Sequence, residues 1–169
     1  MTTAIPFEIP HDFVVERAMP TGPELAFGVS NGWLKAEHAV AIGTEKLRRG
    51  HTLSRPEESL AILLAEDIDQ IHAIVADLQV SSEPVENRAR LWLYLALDWL
   101  HQNRDKFADS WQAIDLIFGE FEYPNEMASF VRWMPSKGPG TASFEAMERE
   151  WSKFLRAQAD HYSSRPPAS

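Results

Sequence analysis

The chain contains no cysteine among its 169 residues. This absence excludes disulfide bonds, thiol nucleophiles and every zinc or iron–sulfur site that needs a cysteine ligand, and it fits a reducing compartment. Long apolar runs are also absent. The longest, Leu91–Leu97, has seven residues, whereas a membrane-spanning helix needs about 20. The N-terminus lacks the basic region and apolar core of a signal peptide, so we expect a cytoplasmic protein with no membrane partner.

Positive charge is scarce in two long stretches of the chain. The net charge is −9, and residues 56–87 contain eight carboxylates but no lysine or arginine. Residues 107–131 contain five more carboxylates, again without a lysine or arginine. Proteins that bind nucleic acids need clustered basic residues, so we expect no nucleic-acid partner. Acidic fields help solubility, and they also speed association with basic proteins.

No catalytic motif is complete. Residues 28–32, GVSNG, fit the pattern of a hydrolase nucleophile elbow, but the parallel sheet and oxyanion segment of that fold are missing. Two pairs, Asp69 with His72 and Asp98 with His101, place a carboxylate and an imidazole one helical turn apart. On facing helices such pairs can hold a metal, although they also arise by chance on solvated helix faces. The sequence therefore favours a non-enzymatic protein with no cofactor, and the metal site stays an alternative.

Helical signals recur along the whole chain. Residues 84–102 are apolar on all sides in their middle, which is typical of a central, buried helix. Ser54, followed by a proline and acidic residues, predicts a helix start, and Gly50 predicts a helix end. One further apolar stripe at helical spacing predicts a helix with one apolar face. This stripe comprises Ile68, Ile71, Ile74, Val75 and Leu78.

These signals predict an all-α fold. We expect a single globular domain over residues 1–162, with about seven or eight helices around the central apolar helix. The helices would pack as an irregular bundle or a short solenoid. Residues 1–11 are predicted to form an extended N-terminal segment because prolines interrupt their apolar alternation. Residues 163–169 are predicted to be a disordered tail.

The segment 118–135, FGEFEYPNEMASFVRWMP, combines aromatic side chains with three glutamates and one arginine. Pro124 predicts the start of a short helix, in which Met127, Phe130, Val131 and Met134 face the core. The simpler interpretation is a corner whose aromatics complete the core. Tyrosine and arginine also dominate interface hot spots, so the outer side is a candidate recognition surface. With the acids near residue 70, the predicted contact residues are Asp67, Asp69, Asp77, Asp115, Glu120, Glu122, Tyr123, Glu126 and Arg132.

The motifs EFEYPNE and FVRWMP, which follow the LWLYLALDWL helix and an RDKF turn, resemble a family of bacterial proteins of unknown function. The resemblance covers most of the chain and is strongest over residues 90–135. It implies a small, cytoplasmic, mainly helical protein without an assigned activity, and it transfers no catalytic residues. It also implies a link to gene neighbourhoods of contact-dependent or polymorphic toxins, where acidic domains act as immunity proteins.

Together these features favour an acidic protein-binding domain with a basic protein as partner. An immunity protein that neutralises a basic toxin is the specific form of this hypothesis. One alternative is a metal- or small-ligand-dependent enzyme inside the helical bundle. Another is a structural subunit of a bacterial assembly. The sequence indicates no particular oligomeric state.

Overall fold

The computed structural model describes residues 5–64, 66–80, 84–131 and 144–165. These residues contain α-helices and two short 3-10 helices but no β-strand, so the all-α prediction is confirmed. In chain order the α-helices are α1 (His11–Arg17), α2 (Gly22–Ser30), α3 (Ala36–Arg48), α4 (Arg55–Ala61), α5 (Ile68–Leu78), α6 (Val85–Gln102), α7 (Ser110–Glu120) and α8 (Phe144–Ser163). The 3-10 helices are Arg104–Lys106 and Asn125–Phe130.

The centre of the fold is α6, as its apolar sequence predicts. Every residue from 91 to 97 is buried, and α1, α2, α7 and α8 pack around the helix. The Trp92 indole N–H donates a hydrogen bond to the Glu24 carbonyl oxygen of α2 at 2.7 Å. Gly28 permits this close approach, because a Cβ atom there would lie 2.2 Å from the Trp92 ring. The close contact between α2 and α6 therefore depends on glycine, which has no side chain, at position 28.

Helices α3 and α4 are joined by a buried ion pair. Ser54 and Glu57 form a capping box at the start of α4, which confirms the predicted helix start. The other carboxylate oxygen of Glu57 accepts a hydrogen bond from Lys46 of α3, and both side chains are buried. Lys46 Nζ also donates to the Pro20 carbonyl oxygen at 2.9 Å. Because it is paired on two sides, this charge is tolerated in the interior.

The N-terminal segment is irregular only as far as residue 10 within the described part of the chain. Ile5 and Ile9 are buried in the core. At His11 the chain enters α1, a seven-residue helix that the sequence signals do not indicate. The fold therefore uses the N-terminal segment to cover its core.

At the C-terminal end, α8 continues to Ser163. Arg165 Nη1 then donates to the buried Glu24 carboxylate at 2.8 Å, and its Nη2 donates to the Met19 carbonyl oxygen at 2.7 Å. The remainder of the predicted tail, residues 166–169, lies outside the described residues. Among the helices that are described, none is long and apolar enough to cross a membrane.

Candidate functional site at the end of α7

Helix α7 ends in a Schellman motif that has glutamate where glycine is usual. The Glu122 N–H donates to the Gly119 carbonyl oxygen at 3.1 Å, and the Tyr123 N–H donates to that of Phe118 at 2.8 Å. These two bonds define the motif, and they require a left-handed residue directly after the helix cap. Glu122 supplies it with φ of 60°, and Tyr123 also has φ of 60°. Such a conformation is uncommon for non-glycine residues and costs about 1–3 kcal/mol each.

The cap turns both side chains toward solvent. Tyr123 is 60% exposed. Its ring stands edge-on against the buried Phe118, with 5.3 Å between the ring centroids. Glu122 is exposed, and within the described ranges it forms no ion pair. A strained turn therefore presents an aromatic ring and a carboxylate side by side.

The turn that follows α2 packs against this cap. The Trp33 indole N–H donates to the Glu120 carboxylate at 3.2 Å. The Trp33 ring also stacks on Phe121, with 4.5 Å between the centroids. Gly32, with φ of 79°, provides the left-handed residue of the Schellman motif that ends α2 and directs Trp33 inward. The ends of α2 and α7 are thus fixed against each other.

The described groups at the ends of α2 and α7 carry mainly negative charge. Helix C-termini carry a partial charge of about −0.5. Neither α2 nor α7, both described throughout, has a basic residue in its last turn. Glu120 and Glu122 add two carboxylates at the same end. On one side Arg90 Nη2 lies 3.8 Å from Glu126 Oε1, with both side chains about half exposed. Acidic groups and helix C-termini therefore outnumber basic groups among the described residues of this surface.

The 3-10 helix after the cap anchors the site to the core. Met127, Phe130 and Val131 are buried, as their positions predict. Asp115, another predicted contact residue, lies partly buried on α7. The predicted contact residue Arg132 and the predicted core residue Met134 lie outside the described residues. The segment is therefore core on one side and surface on the other.

The remaining predicted contact residues lie on α5. Asp67 precedes the helix, and its carboxylate accepts a hydrogen bond from the Leu64 N–H at 3.1 Å. Asp69 and Asp77 are exposed. Helix α5 packs against α2, α3 and α4, whereas α7 packs against α6. The two acidic groups thus lie on helices that have different packing neighbours.

The aspartate and histidine of α6 have separate partners. Asp98 is buried, and its carboxylate lies 3.0 Å from Arg17 Nε. Burial raises the pKa of Asp98, and the Arg17 charge opposes that shift. His101 Nε2 lies 3.6 Å from the Glu148 carboxylate. Burial lowers the pKa of His101, as does the charge of a neighbouring arginine.

The second pair, Asp69 and His72, lies exposed on α5. In the part of the chain that the structure describes, no group of three or more histidine, aspartate and glutamate side chains is arranged to hold a metal ion.

The chain matches one family along most of its length. The family is described as an uncharacterized protein conserved in bacteria (DUF2247), and it matches residues 11–159. The predicted resemblance to a bacterial family of unknown function is thereby confirmed. No curated protein and no solved structure matches the chain. The matched range includes α2, α7 and the turn between Glu120 and Pro124, and thus the whole candidate site.

Proposed function

The chain belongs to the bacterial family DUF2247, and we propose that it is an acidic, non-enzymatic protein-binding domain with a basic protein as its partner. An immunity protein that blocks the basic cleft of a toxin is the specific form of this proposal. The observation that carries it is the strained cap at Glu122 and Tyr123.

The cap supports a binding role because a different residue would form the same turn at a lower cost in folding free energy. Glycine at position 122 would adopt the left-handed conformation without steric strain. Glutamate there, followed by a second left-handed residue, lowers the stability of the folded state. Backbone strain of this kind clusters at functional sites. The strained turn exposes Tyr123 beside the carboxylate of Glu122. Tyrosine is enriched in interface hot spots.

The charge of the surface supports a basic partner. Two helix C-termini and the carboxylates of Glu120 and Glu122 meet at one place. An exposed negative field raises the rate at which a positively charged protein associates. The exposed Asp69 and Asp77 on α5 extend the negative field over a second part of the surface. In a toxin that acts on nucleic acid, the cleft is itself basic, so this surface would complement it.

The test is a pull-down with the full chain as bait, from a lysate of the native host in which the neighbouring genes are co-expressed. We expect a basic protein that stays bound at low salt and is released at high salt, because salt screens exposed charges. If no basic protein is recovered under these conditions, the proposal is wrong.

Two charge-reversal variants then locate the surface. Glu122→Lys should slow association with the recovered partner at low salt and flatten the salt dependence of the rate. Asp105→Lys is the matched control, since Asp105 is an exposed carboxylate on the other 3-10 helix and the charge change is the same. Equal effects of the two variants would indicate a general charge effect and would remove Glu122 from the site.

A further inference from the structure

The corner between α4 and α5 exposes large apolar side chains. Ile62 is 78% exposed, Leu64 is 62% exposed and Ile68 is 38% exposed. Ile68 begins the apolar stripe of α5 and is exposed, whereas Ile71 and Val75 of the same stripe are buried. The stripe extends past the part of α5 that neighbouring helices cover. Single exposed apolar residues are common, but a local group of three more often marks a contact surface.

Two hydrogen bonds join Leu64 to Asp67 at this corner. The Leu64 N–H donates to the Asp67 carboxylate at 3.1 Å, and the Asp67 N–H donates to the Leu64 carbonyl oxygen at 3.0 Å. Both flanking helices are fixed, because α4 packs on α3 and α5 and α5 packs on α2. Because both flanking helices are packed, less entropy is lost when a partner binds to Ile62, Leu64 and Ile68.

Carboxylates flank this apolar group along the chain. Glu58, Glu66 and Asp69 are exposed, and residues 56–87 contain no lysine or arginine. The negative charge of these carboxylates determines which kind of partner can bind at the corner. A second copy docked symmetrically would place the same carboxylates face to face. Nucleic acids and anionic membranes are repelled in the same way. A protein segment that carries both apolar and basic side chains complements the corner in both respects.

We propose that Ile62, Leu64 and Ile68, with their acidic rim, form a docking surface for a basic amphipathic segment of a protein partner. The inference rests on the proposed function for the basic character of that partner. It adds an apolar contact, which salt does not screen. Binding at this corner should therefore keep a salt-resistant component.

The test uses synthetic helical peptides of about 18 residues as probes. One has a leucine face and a lysine face, the second replaces each leucine by serine, and the third replaces each lysine by glutamate. Calorimetry should show that the leucine–lysine peptide binds the full chain about tenfold more tightly than the serine–lysine peptide, or better. The leucine–glutamate peptide should not bind. Methyl NMR should place the shifts of the first peptide at Ile62, Leu64 and Ile68.

Variants separate the corner from other apolar surface. Ile62→Ser and Leu64→Ser should each reduce the affinity for the leucine–lysine peptide by about tenfold and leave the serine–lysine peptide unaffected. Leu116→Ser on α7, where the leucine is 39% exposed, is the matched control and should change neither affinity.

Other outcomes would overturn the inference. If the two lysine peptides bind equally, the corner contributes no apolar contact, while the proposed function stands on its pull-down. If the methyl shifts appear near the α7 cap instead, the docking surface is misplaced. If sedimentation reveals a dimer whose Ile62 and Leu64 methyl groups are protected, the occupant is a second copy and the proposal is wrong.

Discussion

Helices α3 and α7 end in the same hydrogen-bonding motif but with different residues at its left-handed position. After α3, the Gly50 N–H donates to the Leu47 carbonyl oxygen at 3.0 Å, and Gly50 has φ of 77°. After α7, Glu122 takes the equivalent position with φ of 60°. The hydrogen bonds are equivalent, so at this position the difference lies in the Cβ atom. After α7, a second left-handed residue, Tyr123, follows. Glycine adopts this conformation freely, and glutamate adopts it at a cost in stability.

The surroundings of the two caps differ in the same sense. In α3, the residue that accepts the second bond is Lys46, whose side chain is buried in the ion pair with Glu57. In α7, that residue is Phe118, which supports the exposed ring of Tyr123. The residues at the end of α3 stabilise the fold. The residues at the end of α7 adopt a strained conformation and expose polar and aromatic groups, as residues in binding surfaces do.

The largest change in the free energy of unfolding should come from a substitution in α3. Lys46→Met removes the only partner charge that Glu57 has in the described part of the structure, and the carboxylate stays buried. Removing one partner of a buried pair costs about 3–5 kcal/mol. Urea unfolding followed by circular dichroism should report this loss.

The control is the double variant Lys46→Met with Glu57→Gln. Glutamine keeps an oxygen that can accept from the Ser54 N–H, which Glu57 accepts at 3.2 Å, but carries no charge. We expect it to recover most of the loss. A single variant that loses less than about 1 kcal/mol, the range of an exposed pair, would contradict the description of this pair as buried.

Gly50→Ala should give the next largest change. Nothing lies within 4 Å of a Cβ atom placed there, so the loss reports backbone conformation alone. We expect about 1–2 kcal/mol of destabilisation in urea unfolding. Gly119→Ala is the matched control, since its Cβ also meets nothing within 4 Å but the residue lies in the α-helix α7. It should stabilise the protein by up to about 1 kcal/mol. Equal signs for the two variants would refute the comparison.

Glu122→Gly should act in the opposite direction to Gly50→Ala. Relief of the strained conformation, reduced by the greater entropy of glycine in the unfolded chain, should stabilise the fold by about 1 kcal/mol. The same variant should bind the basic partner more weakly, because the exposed carboxylate is gone. Glu122→Gln keeps the strain and removes the charge, so it should weaken binding without a gain in stability. A stable variant with unchanged affinity would show that the strain has no role in binding.

Local signals in the sequence predict much of the fold. The apolar middle of α6, the Ser54 capping box and Gly50 all act over a few residues, and each appears in the structure where the sequence places it. Helix α1 is missed because its seven residues follow Pro10 and are too few to show a period. The exposure of Ile68 is not indicated by the sequence, because periodicity reports a helix face and not what covers it.

The candidate site is predicted only in part. Charge and composition pick out Glu120, Glu122 and Tyr123 as contact residues. The left-handed cap is not indicated, because glycine is the residue that signals it and glutamate stands in its place. The hydrogen bond from Trp33 to Glu120 joins residues 87 positions apart. A contact at that separation depends on the packing of α2 and α7, which no local pattern encodes.

The smallest predicted effect concerns charge at the α3 end. Hydrogen bonds from Arg48 and Arg49 lower the pKa of Glu45 from 4.5 to about 2. Because the folded-state pKa is depressed, the stabilisation is complete above pH 4.5 and is lost as the pH falls through about 2. The pair is exposed, so the effect on unfolding is small, and NMR titration of the Glu45 carboxyl carbon is the direct measurement. Replacing both arginines by glutamine should return the pKa toward 4.5. A wild-type midpoint already near 4.5 would show that these arginines do not hold the carboxylate in solution.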